Sequence, residues 1–289
     1  MEKLIAVKQL DDEKLSDLKK MAAICEDFEN LRLKLNWNLL SFRTGEYTDD
    51  FLYYQDGQLI GSLHLFAFEQ KTAEINGMVH PAYRQQGVFS KLLTRVQQEC
   101  ASRNLSRLLF LVERNSVSGT AVLQKQKADF SHTECKMECK KSSYYPGNPI
   151  VRLEKALPED AAMLAAMDAA CFPQPTEETG GRSAFAESWL RHPKIQTFNA
   201  FREDKKIGKI SMSNVDNVIW IYGLCIIPDF RGQGYGKDML RQVMNLPMCE
   251  GAAVDLEVDI NNSVAIKLYQ EFGFQEITLY DYYKMMIGM

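Results

Sequence analysis

Apolar and polar positions along this chain switch repeatedly between a period of two and a period near 3.6. Leu4 to Leu10 alternates as a half-buried strand does. Asp11-Asp12-Glu13 then opens a stretch that puts Leu15, Leu18, Met21, Ala22 and Cys25 on one helical face. A second helical pattern is predicted over Leu31 to Leu40. Phe51–Tyr54 and Leu59–Phe68 flank Asp56-Gly57, a two-residue hairpin signal. Glu74–Val79 reads as a strand ended before Pro81, Ser90–Cys100 as a helix, Leu108–Val112 as a strand, Ser118–Lys127 as a helix and Phe130–Lys140 as a strand. Tyr144-Tyr-Pro-Gly-Asn-Pro149 has no period and predicts a linker. The order then restarts. Val151–Lys155 is a strand, Pro158-Glu-Asp opens an Ala/Met-rich helix to Ala170, Phe172–Arg182 is a loop, and Phe185–Leu190 is helical. Thr197–Arg202 and Ile207–Met212 form a hairpin around Asp204-Lys-Lys, Ile219–Ile227 and Ala253–Val258 are strands, Ser263–Glu271 is a helix, and Phe274–Met285 a closing strand pair.

The two halves repeat each other. Pro81, Arg84 and Gly87 recur as Pro228, Arg231 and Gly234, while Glu113, Ala121 and Phe130 recur as Glu257, Ala265 and Phe274, with a small loop change between the blocks. Internal duplication gives two domains, 1–145 and 150–289, each an α/β unit on a mixed sheet. A length of 289 residues suits two such domains.

The net charge of −4, with no basic cluster, argues against a nucleic-acid partner, because phosphate neutralisation needs grouped Lys and Arg. No apolar run reaches a membrane span. Met1–Lys8 breaks with charge too soon for a signal peptide, so a cytoplasmic location is expected. The seven cysteines are scattered and read as reduced, packed thiols. Cys135 and Cys139 share a strand face without a matching Cys or His pair, so no metal is expected.

The chemistry concentrates in Ile226-Ile-Pro-Asp-Phe-Arg-Gly-Gln-Gly-Tyr-Gly-Lys-Asp-Met-Leu240. An apolar run from Leu224 ends at Pro228, and Met239, Leu240 and Val243 begin a one-sided helix. The loop Arg231–Gly236 thus lies at a helix N-terminus, where free N–H groups and the positive dipole end attract an anion and glycines at 232, 234 and 236 leave room for it. The spacing is neither G-x-G-x-x-G with a following acid nor a Walker loop. Arg231-x-x-Gly234-x-Gly236, preceded by Ile226-x-Pro228, resembles the acyl-coenzyme A pyrophosphate loop of the GNAT superfamily of N-acetyltransferases.

That resemblance covers the chain twice and implies tandem GNAT-type domains, in which two parallel strands splay around acetyl-CoA as co-substrate. It implies that Leu224, Cys225 and Ile226 face the pantetheine arm and that the amides of Arg231, Gly232, Gln233, Gly234, Tyr235, Gly236 and Lys237 hold the pyrophosphate. By the same resemblance Asn262 contacts the cofactor, and Tyr269 protonates the departing thiolate, as a phenol of pKa about 10 can. Two-lobed members of the superfamily, such as those of mycothiol synthesis, carry the reaction in the second lobe. In the first half the matching positions hold Ser118, Lys125, Asp129 and Phe89 in place of Asn262, Tyr269, Gly273 and Gly236, which implies a degenerate platform. The base stays open among Glu257, Glu74 and a water chain. The expected reaction is direct acetyl transfer to a primary amine of an unidentified small-molecule or peptide acceptor in the C-terminal half; a non-catalytic acyl-CoA sensor is the rival class.

Overall fold

In chain order the first half folds as β1 (Glu2–Val7), α1 (Asp12–Glu29), α2 (Trp37–Leu40), β2 (Asp50–Gln55), β3 (Gln58–Phe66), β4 (Thr72–Val79), α3 (Val88–Ser102), β5 (Arg107–Glu113), α4 (Val117–Gln126) and β6 (Asp129–Cys139). The second half follows as β7 (Arg152–Lys155), α5 (Ala161–Cys171), α6 (Arg182–Arg191), β8 (Ile195–Arg202), β9 (Lys205–Val215), β10 (Val218–Ile226), α7 (Tyr235–Met244), β11 (Ala253–Asp259), α8 (Ser263–Glu271) and β12 (Gln275–Met286). The computed structural model describes residues 1–41, 43, 45–67, 71–172, 182–215 and 217–287, with backbone alone for 182–185. Phe68, and the loop expected between Phe172 and Arg182 apart from its ends, lie outside the described residues. None of the described helices is long and apolar enough to cross a membrane.

Local chemistry explains the boundaries. Asp11 caps α1 by accepting from Lys14 N at 2.9 Å, and Asn30 ends the helix in the left-handed region at φ 53°. The helix expected over Leu31–Leu40 is only the single turn α2. Asn36 is also left-handed, at φ 54°, and the amides between are drawn off by carboxylates: Arg32 N donates to Glu113 Oε2 at 2.7 Å and Leu33 N to Glu26 Oε1 at 2.8 Å. The β2–β3 hairpin turns through Asp56 at φ 50° and Gly57 at φ 84°, the double positive that a two-residue primed turn requires.

The expected closing strand pair is one continuous strand, β12. Its residues Tyr280–Met286 run antiparallel to Glu113–Arg107 of β5. The chain accordingly forms two compact units, one of residues 1–134 with 278–289 and one of residues 135–277. The last strand of the chain completes the first unit.

In that first unit the strand order is β1-β2-β3-β4-β5-β12, antiparallel except for the β4–β5 pair. One face packs on α3 and α4 through Leu92, Val96, Ile75 and Leu108; the other packs on α1 and α2 through Leu18, Met21, Leu40 and Met78. Each such fully buried aliphatic side chain stabilises the fold by roughly 1.5–3 kcal/mol, which fixes both helix layers on the sheet. The second unit repeats the plan with β7-β8-β9-β10-β11, again parallel only at β10–β11. On its sheet Met167, Leu164, Ala156 and Cys225 form one buried cluster.

Candidate active site

Parallel pairing of β10 with β11 runs only from Val218–Ala253 to Ile221–Leu256. Past Ile221 the register on β9 shifts between Tyr222 and Cys225, with Gly223 at φ 54°, and a bulge of this kind bends its strand. The two parallel strands part there, and Leu224, Cys225 and Ile226 lie along the parted stretch.

After the short turn Pro228–Phe230, Arg231 folds back and its Nε donates to Ile226 O at 2.9 Å. Gly232 and Gly234 take left-handed backbone, at φ 75° and 83°, and Gly234 caps α7 with no side-chain bond to the first-turn amides. A Cβ at Gly232 would meet nothing within 4 Å, and one at Gly236 would lie 3.8 Å from Leu224 Cδ2 and 3.9 Å from Ile226 Cγ1. The loop therefore stands over the strand end with residues 231–234 exposed, as an anion cradle needs, but the Arg231 amide donates to Pro228 O at 3.1 Å and drops out of the expected set of amides. Tyr235 Oη bonds Gln233 Oε1 at 3.2 Å, and Lys237 Nζ pairs with Glu271 at 2.6 Å, tying α7 to α8.

The other two residues singled out by the sequence sit on α8. Asn262 is exposed and caps its own helix, Oδ1 accepting from Ala265 N at 3.1 Å. Tyr269 is 7% exposed with its ring 5.9 Å from that of Phe274, and burial pushes its phenol up to about 12. Of the base candidates, Glu74 accepts from Asn36 Nδ2 at 3.1 Å and lies where β4 and β5 are still paired; Glu257 is half-buried on β11.

One residue escaped the sequence reading. Cys171, at the end of α5, places Sγ 3.4 Å from Ile226 O, the carbonyl that Arg231 also holds. A hydrogen bond from the Cys225 thiol, helped by Arg231, lowers Cys171 to about 6, while the same pairing and burial raise Cys225. The first unit has the same device: Cys25 Sγ stands 3.6 Å and Arg84 Nε 3.1 Å from Val79 O. The spacing from Cys to Arg, 84 − 25 = 59 residues in the first copy and 231 − 171 = 60 in the second, was the available signal.

The duplication register is sharper in three dimensions. Gly87, at φ 82° and ψ 0°, caps α3 as Gly234, at 83° and −3°, caps α7; Gln85 holds φ 61° where Gly232 stands. Farther on, Ser116 caps α4 as Asn262 caps α8, and Lys127 is the left-handed residue after α4 as Gly273 is after α8. Both matches correct the sequence alignment by two residues. The counterpart of Asn262 is Ser116, not Ser118, and the counterpart of Tyr269 is the buried Leu123, not Lys125. Caps decide this because a helix start fixes the phase of everything after it. Glu29, paired with Arg84, accepts from Ser116 Oγ at 3.1 Å and Ser118 N at 3.4 Å, so a carboxylate of the chain itself occupies the α4 N-terminus.

Between the parted ends of β4 and β5 the first unit holds a half-open cleft of about 350 Å³ that reaches the Arg84–Ser90 loop and α4. Asn76, Met78, Leu111 and Glu113 line it on the α1–α2 side, beside Leu33 and Leu35.

The acetyltransferase (GNAT) family model matches residues 15–126 and 161–274. A tandem GNAT protein from the clavulanic acid biosynthesis pathway superposes with a TM-score of 0.71 at 13% identity, over 100% of this chain and 99% of that one. A GCN5-related N-acetyltransferase from Sphaerobacter thermophilus gives 0.72 at 15% identity over 99% and 96%. Curated relatives include the ribosomal protein bS18 alanine N-acetyltransferase of Haemophilus ducreyi, 37% identical over 70 residues, which are 24% of this chain and 48% of the relative. The N-alpha-acetyltransferase RimI of Mycobacterium tuberculosis is 31% identical over 68 residues, 24% of this chain and 42% of the relative. The chain thus spans about half the length, or less, of the curated relatives it matches.

Proposed function

Since the chain belongs to the acetyltransferase (GNAT) family, we propose that it transfers acetyl from acetyl-CoA to a primary amine, directly, in its C-terminal half. The observation that carries this reading is the Arg231–Lys237 loop standing over the parted end of β10. The amides of Gly232–Lys237 would hold the pyrophosphate, and the backbone of Leu224–Ile226 would face the pantetheine arm. Asn262 would lie at the cofactor, and Tyr269 would return a proton to the sulfur. A primary amine fits the relatives named for acetylating an alanine or an α-amine. The amine's base is Glu257 or water, because Glu74 sits on the other unit and is held by Asn36.

A second reading, that the N-terminal half also holds coenzyme A, is favoured by the matching backbone of the Gly87 loop and the cleft beside it. Thiol release with pooled primary amines separates the two. Gly234→Val should lower release more than tenfold and Gly87→Val should leave it within threefold. The opposite pattern would move the transfer to the first unit, and coenzyme A binding without thiol release from the wild-type chain would leave only a sensor.

A further inference from the structure

The parted end of β10 carries a pair of thiols that the coenzyme A reading does not use. Cys171 closes α5, and Cys225 lies on β10 between Leu224 and Ile226. A Cβ on Gly236 would meet Leu224 and Ile226, so those two side chains turn toward α7, and Cys225, one position out of phase, turns to the opposite sheet face. There it joins Leu164 and Met167 of α5 in a buried cluster against which Cys171 packs. The two sulfurs meet. The Cys225 thiol donates to Cys171 Sγ, which also stands 3.4 Å from Ile226 O.

The two thiols are unequal in the way an oxidisable pair requires. All seven cysteines are among the described residues, and Cys171 alone is half-buried where the other six are buried. A dissolved oxidant therefore meets Cys171 first. Arg231 and the Cys225 thiol both favour its thiolate, the form that reacts. The other charges at the pair are Asp168, which opposes that thiolate, and Lys209, which is itself paired with Asp168 at 2.8 Å. Cys225 is 5% exposed, so the sulfur it reaches is that of Cys171. Its proton is held chiefly by the bond it gives to Cys171, and then by burial. Oxidation of Cys171 removes the negative charge that holds this proton, so the first step releases the second.

The first unit lacks the pair. Cys25 Sγ and Arg84 Nε share Val79 O as Cys171 and Arg231 share Ile226 O, but the residue before Val79 is Met78, a thioether where the second unit has a thiol. Cys25 is buried beside Met78, and burial pushes its thiol up to about 11.

We propose that Cys171 and Cys225 are a reversible disulfide site, oxidised by hydrogen peroxide, that staples the end of α5 to β10. The Cys171 thiolate attacks one peroxide oxygen; an S–O bond forms, the O–O bond breaks and hydroxide leaves. Cys225 then attacks the Cys171 sulfur and gives its proton to the departing hydroxyl, so that the S–S bond forms, the S–O bond breaks and water leaves. Two thiols have then lost two electrons to one peroxide, and a dithiol reductant reverses the bond. Covalent contact draws Cys225 toward α5 and shifts β10 in the stretch that β11 no longer pairs. Coenzyme A lying along that stretch and the disulfide therefore oppose each other, and by linkage each weakens the other. This opposition rests on the coenzyme A placement proposed above, whereas the oxidation stands without it.

The test treats the full chain with hydrogen peroxide, blocks the remaining thiols with iodoacetamide in denaturant, and reads tryptic peptides by mass before and after dithiothreitol. Chains that run as single molecules on a non-reducing gel should yield the Cys171 peptide joined to the Cys225 peptide, lighter by two hydrogens and separated by dithiothreitol, with Cys25 still alkylated. Cys225→Ser should raise sulfinic acid on Cys171 at least fivefold over the wild type, and Cys171→Ser should leave Cys225 a free thiol. Desulfo-coenzyme A, which has no thiol, should slow the cross-link at least fivefold; equal rates with and without it would keep the disulfide and remove coenzyme A from beside β10. No joined peptide from the wild type, at a peroxide dose that oxidises the exposed Met286, would overturn the site. Oxidation of Cys225 in Cys171→Ser would overturn the order of the two steps.

Discussion

Tyr269→Phe isolates the proposed acid with little collateral change. The substitution removes one hydroxyl and leaves the ring against Phe274. Folding stability near neutral pH should therefore move by no more than about 1 kcal/mol, the scale of one net hydrogen bond. A general acid contributes about 10²–10⁴ in rate, which is roughly 3–5 kcal/mol of barrier. The catalytic effect is thus separable from the structural one. The assay is single-turnover release of free thiol with amine in excess, read by a chromogenic thiol reagent, with urea unfolding run in parallel. A rate within threefold of wild type would sink the acid role. Burial raises the phenol from 10.0 to about 12, and the sign of its linkage follows. The folded state holds the proton more tightly than the unfolded one, so this contribution to stability is intact below pH 10 and is lost as pH rises from about 10 to 12. Urea midpoints of the wild type should fall over that window by more than those of Tyr269→Phe, and equal falls would deny the raised phenol.

Gly234→Ala and Gly87→Ala should each cost about 1–2 kcal/mol in unfolding free energy, because both positions hold φ above 80° while the space for a methyl is open; equal melting temperatures would contradict the left-handed caps. Asn262→Ala should cost about 1 kcal/mol as a lost cap, whereas Asn262→Asp should keep the cap and weaken coenzyme A at least tenfold in calorimetry by placing a carboxylate near the pyrophosphate. Unchanged affinity in Asn262→Asp would leave Asn262 a capping residue only. Cys171, lowered to about 6, should be alkylated by iodoacetamide at a rate that climbs through pH 6 and levels by pH 7, slowed by coenzyme A; a climb centred on pH 8 to 9 in peptide mass spectra would refute it.

Most of the fold was readable because strand and helix impose different periods on a buried face. The hairpin at Asp56-Gly57, the loop from Arg231 and the helix Ser263–Glu271 all follow from local rules. What was not readable depends on partners distant in sequence. The helix expected at Leu31–Leu40 gives way because Glu113, some eighty positions on, takes the Arg32 amide. β12 is one strand because β5 of the first unit offers it an edge over seven residues, and no local residue pattern records that.

The two copies of the loop differ in side chains rather than in backbone. Both hold the same left-handed turn, and the first does so with Gln85, where an L residue costs about 1–2 kcal/mol relative to the glycine of the second copy. Helix α3 accounts for part of that persistence, since Val88 and Leu92 are buried and a changed entry would unseat them. The difference lies at the next helix. In the first copy Glu29 and Arg84 form an internal ion pair on the α4 N-terminus, a carboxylate where a ligand anion would otherwise be drawn, and Leu123 stands at the position of Tyr269. In the second copy the same helix start is capped by the exposed Asn262, and Tyr269 stands in place of Leu123. A carboxylate at that helix start repels a pyrophosphate, and a leucine cannot give a proton to a thiolate. These side chains support the proposal that the second copy, rather than the first, transfers acetyl.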